Sequence, residues 1–128
     1  MAKRLPECLE LETFRHSIPV TLTDSQGNRH PYRLREMDGP LLIEWRAFAK
    51  ERTKYTEDGG FEITDQKEYH ATLIHKCLEP VDGSPPMSVS DIYNYGAEAQ
   101  ATLFKYSLIL NGMAVEDDMD VEGDDEKN

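Results

Sequence analysis

The chain has 128 residues, of which 38% are hydrophobic and 30% are charged, and its formal net charge is −11 at pH 7. This length is typical of one domain with a single modest core. The excess of acids, without any basic stripe, argues against direct binding of nucleic acid.

The acidic residues are concentrated at the C-terminus. Residues 114–128 contain eight acids and one lysine, a net charge of −7, whereas residues 1–113 contain 17 acids and 13 bases. Blocks of like charge repel one another and rarely fold, so we predict a disordered acidic tail at 114–128. The tail also lacks the spacing of a calcium-binding loop.

The cysteine count and the N-terminus indicate the compartment. Cys8 and Cys77 are the two cysteines, too few for a disulfide framework. The first residues, MAKRLPECLELE, contain no apolar signal-peptide core. No run reaches the ~20 apolar residues that a membrane span requires. We therefore expect free thiols, no membrane partner and a cytoplasmic location.

The sequence predicts a weakly ordered arm over residues 1–16, followed by one α+β domain over residues 17–113. Apolar residues alternate with polar ones on two strands, which is typical of a β-hairpin; they are Ile18, Val20, Leu22, Tyr32 and Leu34. Gly27 or Asn28 supplies the turn. Pro31 cannot donate a hydrogen bond, so the second strand is expected to start late or lie at an edge.

Two helices are predicted after the hairpin. Asp38 or Gly39 caps the first, and Pro40 occupies its first turn. Its apolar face is expected to contain Leu41, Trp45, Phe48 and Tyr55, and Gly59–Gly60 ends it. The second helix is predicted to begin at Asp65, where Glu68 completes a capping box. Its buried side is expected to contain Tyr69, Leu73, Ile74, Cys77 and Leu78.

A third and longest helix is predicted from a cap at Ser88 or Ser90 to Gly112. A 3-4-3-4 apolar spacing indicates a seam that packs against a neighbour; it comprises Val89, Ile92, Gly96, Ala99, Leu103, Tyr106 and Leu110. Further apolar residues lie outside this seam. A helix that is apolar on more than one side requires two neighbours, so we expect one to be another protomer or a partner helix.

Residues with catalytic or metal-binding chemistry form no recognisable pattern. The four histidines and two cysteines have no zinc-type spacing, and no phosphate-binding loop is present. A nucleophilic pair between a cysteine and His16 or His70 stays open, because sequence spacing does not fix distances in space. We expect no cofactor, no metal and no enzymatic activity.

Two segments resemble a known family. VTLTDSQGNRHPYRLREMDGPLLIEWRAF contains a hairpin that enters a helix through the step Leu34–Gly39. MSVSDIYNYGAEAQATLFKYSLILNGM contains a capped helix, an apolar run and a stop at Asn111–Gly112 before the acidic tail. Over residues 18–113 this layout is similar to that of the tail assembly chaperones of long-tailed bacteriophages.

The resemblance implies a non-enzymatic protein that binds the tape-measure protein and keeps it soluble during tail assembly, until the tail-tube protein replaces it. It further implies action in the host cytoplasm and absence from the mature virion. Self-association into a homo-oligomer is left open. The expected partner contacts are Ile92, Tyr93, Leu103, Phe104 and Leu110.

Two other functions remain as alternatives. An acidic regulator or nucleic-acid mimic would bind a basic protein surface, and would need acids arrayed on the folded body, whereas here the acids are concentrated in the tail. A structural tail component would persist in purified virions. Deletion of residues 114–128 separates the first alternative from a chaperone, and virion composition separates the second.

Overall fold

The computed structural model describes residues 4–113, which form an α+β fold of five strands and four helices. The elements are β1 Ser17–Thr23, β2 Arg29–Arg35, α1 Gly39–Glu51, β3 Thr53–Tyr55, β4 Phe61–Ile63, α2 Tyr69–Cys77, β5 Leu78–Pro80, α3 Val89–Tyr93 and α4 Ala97–Leu110. The predicted mixture of N-terminal strands and later helices is confirmed. The predicted acidic tail lies outside the described residues.

The predicted β-hairpin is present as β1 and β2. Ser17 pairs with Arg35 and Thr23 with Arg29 in an antiparallel ladder. The turn is closed by Asp24, whose side chain accepts hydrogen bonds from the backbone N–H groups of Gln26 and Asn28, both at 2.9 Å. Gly27 has φ of +87°, a conformation in which glycine lacks the steric cost of a Cβ.

The expectation of an edge position for the second strand is wrong, because β2 is the central strand of a three-stranded sheet in the order β1-β2-β5. β5 pairs antiparallel with β2 from Tyr32–Pro80 to Leu34–Leu78. Pro31 lies just beyond this short ladder, where its carbonyl accepts from the N–H of Val81 at 3.4 Å. Pro31 is tolerated because β5 ends before a donor is needed.

The first predicted helix is shorter than expected. α1 is capped by the Asp38 side chain, as predicted, but it ends at Glu51. The chain then forms a small ribbon in which Tyr55 pairs with Phe61. Tyr55 is 77% exposed, so its assignment to the buried helical face is wrong. The Gly59–Gly60 pair lies in the turn of this ribbon instead of ending a helix.

The predicted capping box of the second helix is also wrong. α2 begins at Tyr69, four residues later than expected, and Glu68 precedes it in the left-handed region at φ 61° without a side-chain cap. Asp65 instead accepts a hydrogen bond from the N–H of Lys67. Leu78 is buried as expected, although it belongs to β5 and not to the helix.

The predicted long helix is divided into α3 and α4. Ser88 caps α3 in a capping box with Asp91, which confirms the predicted start. The chain leaves the helix at Asn94, and α4 begins after Gly96, whose ψ is 156°. The Gln100 side chain donates to the carbonyls of Tyr93 at 2.9 Å and Tyr95 at 2.8 Å, which satisfies backbone groups exposed by the break.

The core lies between the inner face of the sheet and the helices, with α2 at its centre. The core residues are Tyr32, Leu34, Met37, Trp45, Ala71, Leu73, Ile74, Cys77, Leu78, Ile92 and Leu103. α4 packs against α2 and β2, and α3 packs against α2. Trp45 is a core residue, as its position on the apolar face of α1 predicts.

Asn111 links the end of α4 to two other parts of the fold. Its side chain accepts from the N–H of Met37 at 2.8 Å and donates to the Ser107 carbonyl at 2.7 Å and the Cys77 sulfur at 3.5 Å. Gly112, at φ 68°, ends the helix. Met113 N–H donates back to the Leu108 carbonyl at 2.9 Å, which completes a Schellman motif.

We predict that Asn111→Ala lowers the free energy of unfolding by about 1–3 kcal/mol, because it leaves partly buried polar groups without partners. Urea denaturation measures the change. Asn94→Ala is the control, since its exposed side chain bonds only to the Ser90 carbonyl within the same helix; its effect should be about 0.5 kcal/mol or less. Equal effects of the two variants would contradict the linking role of Asn111.

Candidate partner-binding groove

An open apolar groove lies between β1 and α4. One part of it, with a cavity volume of about 250 Å³, is lined by Ile18, Pro19, Val20, Leu34, Thr102, Leu103 and Tyr106. The adjoining part, of about 590 Å³, includes Leu22 and the hairpin turn on one side and Tyr95, Gly96 and Ala99 on the other. Higher numbers on β1 face lower numbers on α4, so the strand and helix run antiparallel along the groove.

The groove is open because α4 packs against the fold along only one side. Leu103 and Ser107 face the core and are buried. Ala99, Thr102 and Tyr106 lie on the flank that faces the groove, and all three are exposed. Gly96 has no side chain and Ala99 has only a methyl group, so another backbone can approach α4 closely.

The hairpin-turn end of the groove is polar. Asp24 and His30 both line it, and their side chains are 3.2 Å apart. Hydrogen bonds from the backbone of Asn28, followed by the one from His30, lower the pKa of Asp24 to about 2. The groove therefore combines apolar walls with a fixed carboxylate at one end.

The five partner contacts expected from the sequence do not form one surface. Ile92 is fully buried and offers no surface to a partner, and Leu103 is a core residue that is only 6% exposed. Tyr93 is exposed, whereas Phe104 and Leu110 are half-buried and pack against the core. Of the five, only Leu103 lines the groove.

Phe104 belongs to an aromatic cluster on the opposite flank of α4. Its ring stacks on His70 with centroids 3.8 Å apart and lies 6.4 Å from Tyr69, which contacts Trp45 edge-on at 5.2 Å. Burial lowers the pKa of His70 below its ordinary value. The cluster joins α1, α2 and α4, and thereby fixes the position of the helix that forms one groove wall.

Sequence reasoning missed the groove walls. The 3-4-3-4 spacing predicts that Ala99 and Tyr106 lie in the seam that packs against a neighbour, whereas both are exposed to the groove. The alternation of Ile18, Val20 and Leu22 correctly indicated an apolar strand face. What the sequence lacked was a signal that this face is covered only in part.

The described residues show no arrangement typical of catalysis. Cys77 is fully buried, and desolvation raises the pKa of its thiol, which disfavours the reactive thiolate. Within residues 4–113, no three His, Cys, Asp or Glu side chains are grouped so that they could hold a metal ion. None of the helices in this part of the chain is long and apolar enough to cross a membrane.

Comparison with known proteins gave no match: no protein-family model, curated protein or solved structure matches the chain.

The His70–Phe104 stack generates a prediction for pH dependence. Because the folded-state pKa of His70 is lowered, its contribution to stability is complete above the unfolded pKa of about 6.5 and is lost as the pH falls through the folded-state value. Phe104→Ala removes the ring stacked on the imidazole and should raise the His70 pKa towards 6.5 in an NMR titration. Tyr106→Ala, on the groove flank of α4, should leave that pKa unchanged. An unchanged pKa in Phe104→Ala would show that Phe104 is not the cause.

Proposed function

We propose that this chain is a non-enzymatic assembly chaperone of the kind found in long-tailed bacteriophages, and that it binds an apolar helical segment of the tape-measure protein in the β1–α4 groove. The observation that supports this proposal is the groove itself: a concave apolar surface between a strand and a helix that residues 4–113 leave open. The sequence resemblance over residues 18–113 supplies the identity of the partner.

The shape and lining of the groove suit an amphipathic helix. Such a helix inserts apolar side chains into a groove at a spacing of three or four residues. Ile18 and Val20 lie on the strand side, and Ala99 and Tyr106 lie on the helix side. Burial of each inserted leucine or phenylalanine contributes roughly 1.5–3 kcal/mol, before the cost of ordering the partner is subtracted.

The charge of the chain suits the same role. A long helical protein with exposed apolar stripes tends to aggregate. Bound copies with a net charge of −11 each would repel one another and keep such a complex dispersed. The apolar contact would therefore provide the binding, while the charge of the chain would provide the solubility.

The test is co-expression with the large helix-rich protein encoded immediately downstream, scored by its solubility and copurification. Ala99→Lys places a charge in the groove and should abolish copurification. Ala101→Lys is the matched control, because Ala101 is equally an exposed alanine of α4 but does not line the groove. Leu103→Asp is unsuitable, since it places a charge in the core and unfolds the chain.

If Ala99→Lys retains the partner, or if both lysine variants lose it, the groove is not the binding surface. If the unmodified chain leaves the downstream protein insoluble, the chaperone function itself is contradicted.

Deletion of residues 114–128 tests the acidic-regulator alternative. We predict that the shortened chain still copurifies with the tape-measure protein in 1 M salt, where the screening length is only about 3 Å, because the contact is apolar. Solubility of the complex should decrease, because −7 of the charge is removed. Loss of binding in modest salt, or on deletion of the tail, would favour a regulator that binds a basic surface.

A further inference from the structure

β1 has an open hydrogen-bonding edge. Within the described sheet it pairs only with β2. The N–H of Glu36 donates to the His16 carbonyl and that of Asp24 donates to the Asn28 carbonyl, so the even-numbered backbone groups face β2. The odd-numbered groups alternate with them and therefore point outwards. Pro19, which has no N–H, occupies one of these outward positions, as expected for an edge strand.

The arm that precedes β1 has the pattern of a strand without a partner. Residues 4–16 contain no helix or strand, and their large apolar side chains are exposed, including Leu9 at 70% and Leu11 at 78%. Leu9 and Leu11 alternate with Glu10 and Glu12, which is typical of a strand with one apolar face. Leu5 and Phe14 extend the exposed apolar surface of the arm.

In this fold the arm does not pair with β1 of its own chain. To do so it would have to reverse direction at Arg15 and His16. These residues are held on the β2 side: the Arg15 guanidinium donates to the Glu36 carbonyl at 2.7 Å, and the His16 N–H donates to the Glu36 carboxylate at 3.0 Å. The nearest available donor of a strand is therefore another copy of the chain.

We propose that the arm of a second copy pairs with the outer edge of β1 as an additional strand, with its leucines covering the β1–α4 groove. Residues 5–14 span up to about 33 Å when extended, longer than the roughly 23 Å of a seven-residue strand such as β1. The residues of β1 whose backbone groups point outwards are Ser17, Pro19, Thr21 and Thr23, none of which carries a charge that would oppose pairing.

Reciprocal exchange closes the assembly at two copies. Each copy has one arm and one β1 edge, so a two-fold axis lets each arm pair with the β1 edge of the other copy. This exchange does not depend on the proposed client. If the client also binds in the groove, which rests on the proposed function, the arm and the client compete for one surface.

Thr21→Pro is the decisive variant, because it removes an outward N–H while leaving the groups that face β2 intact. We expect it to raise the dimer dissociation constant about tenfold or more in sedimentation equilibrium of the full-length chain. Thr21→Val keeps the N–H and should dimerise like the unmodified chain. Circular dichroism establishes that both variants are folded.

The arm is tested separately by Leu9→Asp combined with Leu11→Asp, exposed substitutions that leave the core intact and should make the chain monomeric. Backbone hydrogen exchange at Thr21 and Thr23 should slow as protein concentration rises. The inference is overturned if the unmodified chain is monomeric at about 100 μM, a concentration typical of weak complexes, or if these amides exchange at a rate independent of concentration. A dimer that persists both in Thr21→Pro and in the chain with Leu9→Asp and Leu11→Asp also overturns the inference, whatever the outcome with the client.

Discussion

The packing of α2 is the constraint on which the rest of the fold depends. This helix has only nine residues, yet Ala71, Leu73, Ile74 and Cys77 are all fully buried. It is about 13 Å long, whereas the fourteen residues of α4 extend about 21 Å. α2 contacts α3, α4 and the sheet, but it covers only one side of α4. The flank of α4 that α2 does not cover becomes a groove wall.

The groove and the open strand edge arise from the same shortage of covering elements. The aromatic residues of α2 pack on Phe104, on the far flank of α4, and β5 is added to the sheet beside β2, so neither reaches β1. Apolar surface and unpaired backbone groups are consequently adjacent. Such an edge favours association with another strand unless something blocks it. Here the only blocking residue among the outward positions of β1 is Pro19.

In the proposed chaperone, self-association and client binding would cover the same apolar surface. A protein that binds apolar helices must present apolar surface, and that surface favours aggregation when no client is present. Leucines from the arm of another copy would cover it reversibly, because a seven-residue edge and a short arm form a limited contact. A longer apolar helix would then displace the arm by burying more surface. The acidic charge of every copy opposes further association.

Local chemistry was sufficient to predict those features in which neighbouring residues satisfy one another. The hairpin turn at Asp24–Asn28, the caps at Asp38 and Ser88, and the helix stop at Gly112 all depend on residues a few positions apart. Tertiary structure decided the rest. The pairing of β5 and the burial of Ile92 and Leu103 depend on partners distant in the chain. Sequence periodicity established that α4 is apolar on several sides, but only packing decided which side meets the core and which remains open, because the periodicity of one helix contains no information about where its neighbours lie.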